Sequence, residues 1–377
     1  MKSTLALSLW LLSSIPFGRA AYKPSSSNNV AVYWGQNSAG GAKTQRPLID
    51  ICRSERNIDI ILLSFLVSPT DLDRGLNFAN SDRPTEQEII ECQTKHNKTL
   101  LLSLGGAATD NTWSFASPSQ AAEAARRIWA AFGPPPPGPT SPSPPSGGVR
   151  PFGSAAVDGL DLDFEAPYAN IQAFARELRA RMDAGASGRR FYLSAAPQCP
   201  FPDANLAPVL QGGDDAAAAG VLDFLFVQFY NNAPCDLRTP AGFRESLRTW
   251  DAQWAGKAGD GKGRIFVGVP GAATAIGPAN RASYVDGAAL AAGYVDAARA
   301  FRSFAGVMVW DMSQLDGNAA FLPPIVSALG DGGGGETTTT TTTTPSQTSA
   351  FISRVVPTRP ASGGWYRVYG DIHRHAK

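Results

Sequence analysis

The chain has 377 residues, 43% hydrophobic and 10% aromatic, values that suit one large globular domain with attachments. Its formal net charge of +1 leaves no strong field to attract nucleic acid or acidic lipid. The three histidines, His96, His373 and His375, lie near no recognisable motif, which argues against a Ser-His-Asp triad and against a histidine-ligated metal.

Residues 1–20 read as a secretory signal. Lys2 supplies the positive start, residues 5–12 the apolar stretch, and Gly18-Arg19-Ala20 a small-residue cleavage site. That stretch is too short to span a bilayer, and no later segment is long and apolar enough to do so. Cys52, Cys92, Cys199 and Cys235 would then meet an oxidising compartment. Two disulfides are expected, in any of the three pairings that four cysteines allow. A zinc site built from all four thiolates would lack the usual C-x-x-C spacing. Asn97-Lys98-Thr99 is an N-glycosylation sequon.

Eight short, mostly apolar runs follow, at residues 30–34, 58–67, 99–104, 157–165, 191–196, 222–230, 265–269 and 307–310. Helical stretches lie between several of them, at 118–132, 171–183, 243–254 and 287–301. Strands apolar throughout, alternating with helices, predict a parallel sheet covered on both faces. Eight such units in about 300 residues fit an α/β (β/α)8 TIM barrel. A doubly wound open sheet fits less well, because it usually has fewer strands and no acid row along one of them.

Three regions stand outside this pattern. Residues 133–148, rich in Pro, Ser and Gly, predict an insertion loop between strands three and four. Residues 331–350, with glycines at 332–335 and threonines at 337–344, predict a linker that would be O-glycosylated in a secreted protein. Residues 351–377 form a basic tail carrying Trp365, Tyr366 and Tyr369, too short for a core of its own. The expectation for it is disorder, with a fragment of a carbohydrate-binding module as the alternative. The organisation expected is therefore a signal at 1–20, a barrel at 21–330, a linker and a disordered tail.

The fourth run carries the chemistry: Asp158-Gly159-Leu160-Asp161-Leu162-Asp163-Phe164-Glu165. On a strand, Asp161, Asp163 and Glu165 share one face and Leu160, Leu162 and Phe164 the other. Neighbouring carboxyls are then roughly 6–7 Å apart along the strand. Such a row is disfavoured by propensity and by like-charge repulsion, so it points to a metal site or to proton chemistry. No histidine accompanies it, which places the metal reading last. The apolar flank opposes a solvated edge strand. In a barrel these acids lie toward the C-terminal end of their strand, where catalytic groups sit, with Glu165 outermost.

This stretch resembles the DGxDxDxE signature of family 18 glycoside hydrolases, the chitinases. Ser103-Leu104-Gly105-Gly106 resembles the family's SxGG motif. Three further stretches resemble its class III plant and fungal branch: Tyr33-Trp34-Gly35-Gln36-Asn37, Ala195-Ala196-Pro197-Gln198-Cys199-Pro200 and Gln228-Phe229-Tyr230-Asn231-Asn232. Trp310 matches the tryptophan that floors the sugar subsite at the cut. The resemblance spans about residues 29–329 and leaves out the Pro-rich loop and everything after the threonines.

The resemblance implies a secreted, extracellular endochitinase and hydrolysis of β-1,4 bonds between N-acetylglucosamine units with retention; the threonine stretch suggests cell-wall association. The route is substrate assistance through an oxazolinium intermediate. It implies Glu165 as general acid and later base, Asp163 as partner of the acetamide N–H, and Asp161 as the group that tunes Asp163. Tyr230 would hold the acetamide carbonyl, Gln228 and Asn231 would hydrogen-bond nearby, and Tyr33 and Trp310 would stack on sugar. Disulfides would join Cys52 to Cys92 and Cys199 to Cys235. No cofactor or metal is implied; the partners are chitin and N-acetylglucosamine oligomers, met by a monomer. An endo-β-N-acetylglucosaminidase shares the acid row but not the flanking class III motifs. An inactive chitin-binding lectin usually lacks Glu or one Asp, whereas all three acids and Tyr230 are present here. Ser103 and the glycines after it are expected to be structural, and Trp113, Trp250 and Trp254 to be core or surface.

Overall fold

All eight apolar runs form strands, with ends that differ slightly from the predicted ones. In the computed structural model the described residues are 22–41, 45–55, 57–79, 82–107, 112–135, 148–185, 188–211, 220–258 and 263–330. The expected signal, most of the Pro-rich loop, the linker and the basic tail lie outside them. The strands are β1 (Asn29–Trp34), β2 (Ile60–Leu66), β3 (Thr99–Gly106), β4 (Gly159–Phe164), β5 (Tyr192–Ala195), β6 (Phe224–Gln228), β7 (Arg264–Pro270) and β8 (Phe304–Trp310). They pair in sequence order into a closed barrel, and every pairing is parallel. Val157 stays outside β4 because its N–H bonds the Phe132 carbonyl at a helix end rather than a neighbouring strand.

The crossovers are less uniform than the strands. Helices α3 (Pro118–Phe132) and α4 (Ile171–Ala184) match the sequence expectation closely. α3 starts where Ser117 accepts the Gln120 N–H and Pro118 takes the first position, a start signal readable from sequence. α6 (Pro240–Trp250) begins ahead of residue 243 because Thr239 caps it, and a wider turn, Asp251–Ala255, continues it. Between β5 and β6 the only α-helix among the described residues is α5 (Ala207–Leu210). The stretch predicted at 287–301 is broken into α7 (Gly287–Leu290), a wider turn and α8 (Asp296–Ala298). Sequence patterning also passed over α1 (Leu48–Ser54), α2 (Glu86–Thr94), α9 (Met312–Asp316) and α10 (Leu322–Gly330). These are short, yet α2 carries a capping box in which Thr85 and Glu88 bond each other's backbone N–H.

Alternation along the strands builds two apolar layers. Val32, Leu102, Leu160, Leu162 and Val267 point outward beneath the helices. Tyr33, Leu62, Leu101, Phe226 and Met308 fill the barrel interior. At the N-terminal end Tyr22 plugs the barrel, with its ring 4.7 Å from Phe224 and 5.1 Å from Tyr192. Its backbone N–H donates to Thr99 Oγ1 at 3.1 Å. The sequon turns the chain into β3 there, with Asn97 exposed and Thr99 buried. Asp158 belongs to this end too: it accepts from Leu100 N and Gln93 Nε2, both at 2.8 Å, and pairs with Arg189. The first acid of the motif therefore anchors β4 and lies away from the other three.

Two disulfides tie the crossovers. Cys52–Cys92 links α1 to α2, and Cys199–Cys235 links the segment after β5 to the segment after β6. They span 40 and 36 residues, loops for which chain entropy gives about 4 kcal/mol each.

Candidate active site

The centre of the barrel is polar where β4 crosses it. Register sets Asp161 between Ser103 on β3 and Ser194 on β5. Asp161 is fully buried. Its Oδ2 accepts from Tyr33 Oη at 2.9 Å and Ser103 Oγ at 2.7 Å, and its Oδ1 from Ser194 Oγ at 2.7 Å. Burial raises its pKa, and the three hydroxyl donors oppose that rise by favouring the charged form.

Asp163 lies two residues nearer the C-terminal mouth and is also buried. Gln228 Nε2, at the end of β6, donates to Asp163 Oδ1 and to the Ala196 carbonyl, both at 3.1 Å. Burial pushes Asp163 well above the usual carboxylate range, and the charges of Glu165, Asp161 and Asp203 push it the same way. Glu165 follows the strand, partly exposed at the mouth. Burial of its carboxyl raises it to about 7, with Gln228 opposing and Asp203 adding to the rise. A carboxyl poised there is protonated in about half of molecules near neutrality, the range a general acid needs.

Tyr230 stands just past β6 and is buried. Burial, then Asp163, Glu165 and Asp311, hold its hydroxyl well above the ordinary value, so it remains a proton donor. Trp310 closes β8 and is partly exposed; its ring stacks on Phe65 at 6.1 Å and meets Tyr33 edge-on at 5.4 Å. Gly105 and Gly106 have φ of +105° and +86°. A Cβ on Gly105 would come within 2.5 Å of the Asp163 carbonyl oxygen, so the glycines let β3 pass close under the site, as expected of them.

One expectation needs correction. Tyr33 is only 1% exposed, and its hydroxyl is committed to Asp161. Phe65 and Trp310 pack against its ring, so it supports the acid row from below and offers no face for a sugar. Ser103 has the structural role expected of it, donating to the deepest acid. Asn231 is exposed beside Tyr230, with φ of +64°, and its backbone N–H donates to Ser283 Oγ at 3.3 Å. Trp113, Trp250 and Trp254 are core residues.

Sequence reasoning missed Ser194, Asp203 and Asp311. Ser194 carries no motif, and only the register of β5 against β4 reveals it. Asp311 caps α9, accepting from Ser313 Oγ at 2.7 Å and Gln314 N at 3.2 Å, and also binds the Ser38 N–H at 3.0 Å. A cap signal before α9 was legible, but its proximity to Tyr230 was not.

The family model of glycosyl hydrolases family 18 matches residues 29–352. The chain belongs to family 18 of the glycosyl hydrolases. This family 18 protein is 39% identical over 340 residues to Endochitinase 33 of Trichoderma harzianum, covering 85% of this chain and 97% of that protein. It is 34% identical over 327 residues to a class III chitinase of Arthroderma benhamiae, covering 81% and 86%. It matches the endochitinase of Saccharomyces cerevisiae at 36% identity, over 82% of this chain but 51% of that protein. Among solved structures, a xylanase and α-amylase inhibitor protein from Scadoxus multiflorus superposes with TM-score 0.64 at 28% identity, covering 79% of this chain and 98% of that one. A chitinase from Ipomoea carnea does so with TM-score 0.58 at 25% identity, covering 80% and 99%.

Proposed function

We propose that this family 18 protein is a secreted endochitinase that cleaves β-1,4 bonds between N-acetylglucosamine units with retention of configuration. The observation that carries this reading is the carboxyl of Glu165, raised to about 7 at the barrel mouth above a buried Asp163 that Gln228 holds. A leaving glycosidic oxygen needs a proton, and Glu165 is placed and poised to give it. The acetamide carbonyl of the substrate then attacks its own anomeric carbon, a step favoured by proximity. Asp163 receives the acetamide N–H and balances the positive oxazolinium, while Asp161 sets the charge state of Asp163. Tyr230 donates its hydroxyl to the acetamide oxygen and keeps it in line. Glu165, now ionised, takes a proton from the water that opens the oxazolinium, and the product keeps its β configuration. Gln228 and Asn231 line the site, and Trp310 offers the apolar surface for the sugar at the cut.

Residues 21–330 form the catalytic unit in this reading, and 331–350 the linker. The signal at 1–20 and the two disulfides support an oxidising, extracellular destination. Among the described residues no helix is long and apolar enough to cross a membrane. The likeness to the Scadoxus inhibitor protein supports a second reading, a binding protein on the same barrel; the complete acid row and Tyr230 favour the enzyme.

Cleavage of N-acetylglucosamine oligomers followed by NMR decides between them. The first product should be the β-anomer. An α-anomer would exclude the oxazolinium route, and binding without cleavage would favour the second reading. Deacetylated polymer lacks the internal nucleophile and should be cut far more slowly. No step passes through a metal, so EDTA should leave turnover unchanged; lost activity would reopen a metal role for the acid row.

A further inference from the structure

The loop between β5 and α5 reaches the acid row from a side that the DGxDxDxE stretch does not account for. Asp203 lies in it, only 4% exposed. Its Oδ1 accepts the backbone N–H of Asn205 at 2.8 Å and of Leu206 at 2.7 Å, and its Oδ2 accepts that of Gln198 at 3.0 Å. One carboxylate thus bridges the two arms of the loop. Gln198 bridges to Gln228 in parallel register. The Gln228 N–H donates to the Pro197 carbonyl at 2.8 Å. The Gln228 side-chain amide shares its donors between the Ala196 carbonyl and Asp163 Oδ1, both at 3.1 Å. Asn232 Nδ2 closes the circuit on Gln198 Oε1 at 3.1 Å. Residues 196–198 are therefore the bed on which the Gln228 amide rests, and Asp203 is the group that holds their path.

We propose that Asp203 is a positioning residue of the reaction: its buried carboxylate fixes residues 196–198, and through them the Gln228 amide on Asp163, while its charge faces the acid row. This rests on the reading under Proposed function. The groups facing Glu165 and Asp163 are Asp161 from β4, Gln228 and Tyr230 from the end of β6, and Asp203 from the β5–α5 loop, with Asp311 from the end of β8 acting on Tyr230. Each is acidic or neutral. Asp203 adds to the rise of both Asp163 and Glu165. Burial raises Asp203 itself, and its three backbone donors oppose that rise and favour the charge.

Asp203→Asn and Asp203→Glu test this, with Asp223→Asn as a control. Asp223 is a buried carboxylate at the opposite end of the barrel, bonded to Leu193 N at 2.9 Å and Arg179 at 3.0 Å. Asp203→Asn should lower kcat about 10-fold with KM changed less than about twofold. It should also move the alkaline limb of kcat/KM toward lower pH, by on the order of half a unit, because one negative charge beside Glu165 is gone. Asp223→Asn should lower Tm and leave the pH profile where it is. If Asp203→Asn behaves like that control, with kcat and the profile unmoved, Asp203 is structural only and the proposal is overturned. Asp203→Glu keeps the charge and displaces it, so kcat should fall with the limb unmoved; full activity in that variant also overturns the proposal, even where Asp203→Asn does not fold. Carbon-detected NMR titration of the Glu165 carboxyl in substrate-free protein reads the same shift without turnover. Wild type that cuts no oligomer would therefore sink the functional reading, while the titration still decides on Asp203.

Discussion

Glu165→Gln should lower kcat on N-acetylglucosamine oligomers by about 10²–10⁴-fold, the range for loss of a general acid, with oligomer affinity nearly intact. Glutamine keeps the shape of the side chain and removes its titrating proton. In the wild type the same proton sets the alkaline limb: activity should fall as pH rises through about 7, where Glu165 ionises. In the variant that limb should vanish from the residual rate. Unchanged turnover would remove Glu165 from the role.

A stability signature accompanies the activity loss. A carboxyl raised from 4.5 to about 7 on folding binds more protons in the native state between those values. Stability then falls as pH rises across that window and stays reduced above it. Glu165→Gln relieves this, so its Tm should exceed wild type at pH 8, and the gain should shrink away near pH 4. A Tm difference that is the same at both pH values would show that the carboxyl is not held up by its surroundings. The enzyme on this reading gives up some stability at neutral pH to keep an acid protonated at its mouth.

Asp161→Ala should be the most destabilising single change in the site. It leaves the hydroxyls of Tyr33, Ser103 and Ser194, all buried, without their acceptor. Each unsatisfied buried group costs about 1–3 kcal/mol, and relief from a desolvated carboxylate offsets part of the sum. A net loss of about 2–4 kcal/mol at pH 7, read from denaturant midpoints, is expected. Asp161→Asn retains an acceptor, so it should fold nearly as well as wild type. It still removes a charge that raises Asp163, so the charge state that Asp161 sets for its neighbour is lost. Activity should fall at least about 10-fold. A fully active Asp161→Asn would show that the deepest acid serves packing alone.

Much of this protein follows from local pattern. A period of two along β4 is enough to put Asp161 and Asp163 on the inner face and Leu160, Leu162 and Phe164 under the helices. Apolar runs spaced by helices are enough for a parallel barrel, and Ser117 and Thr239 mark where two helices start. Only the closed sheet decided what each acid meets. Tyr33 is 128 residues from Asp161, Ser103 is 58 and Ser194 is 33. No local signal carries the register that joins them. The same is true of Asp203, which reads as a turn residue until the β5–α5 loop is folded against β6. Burial and neighbouring charge, not residue type, turned one glutamate among many into an acid that titrates near neutrality, and both are properties of what packs around it.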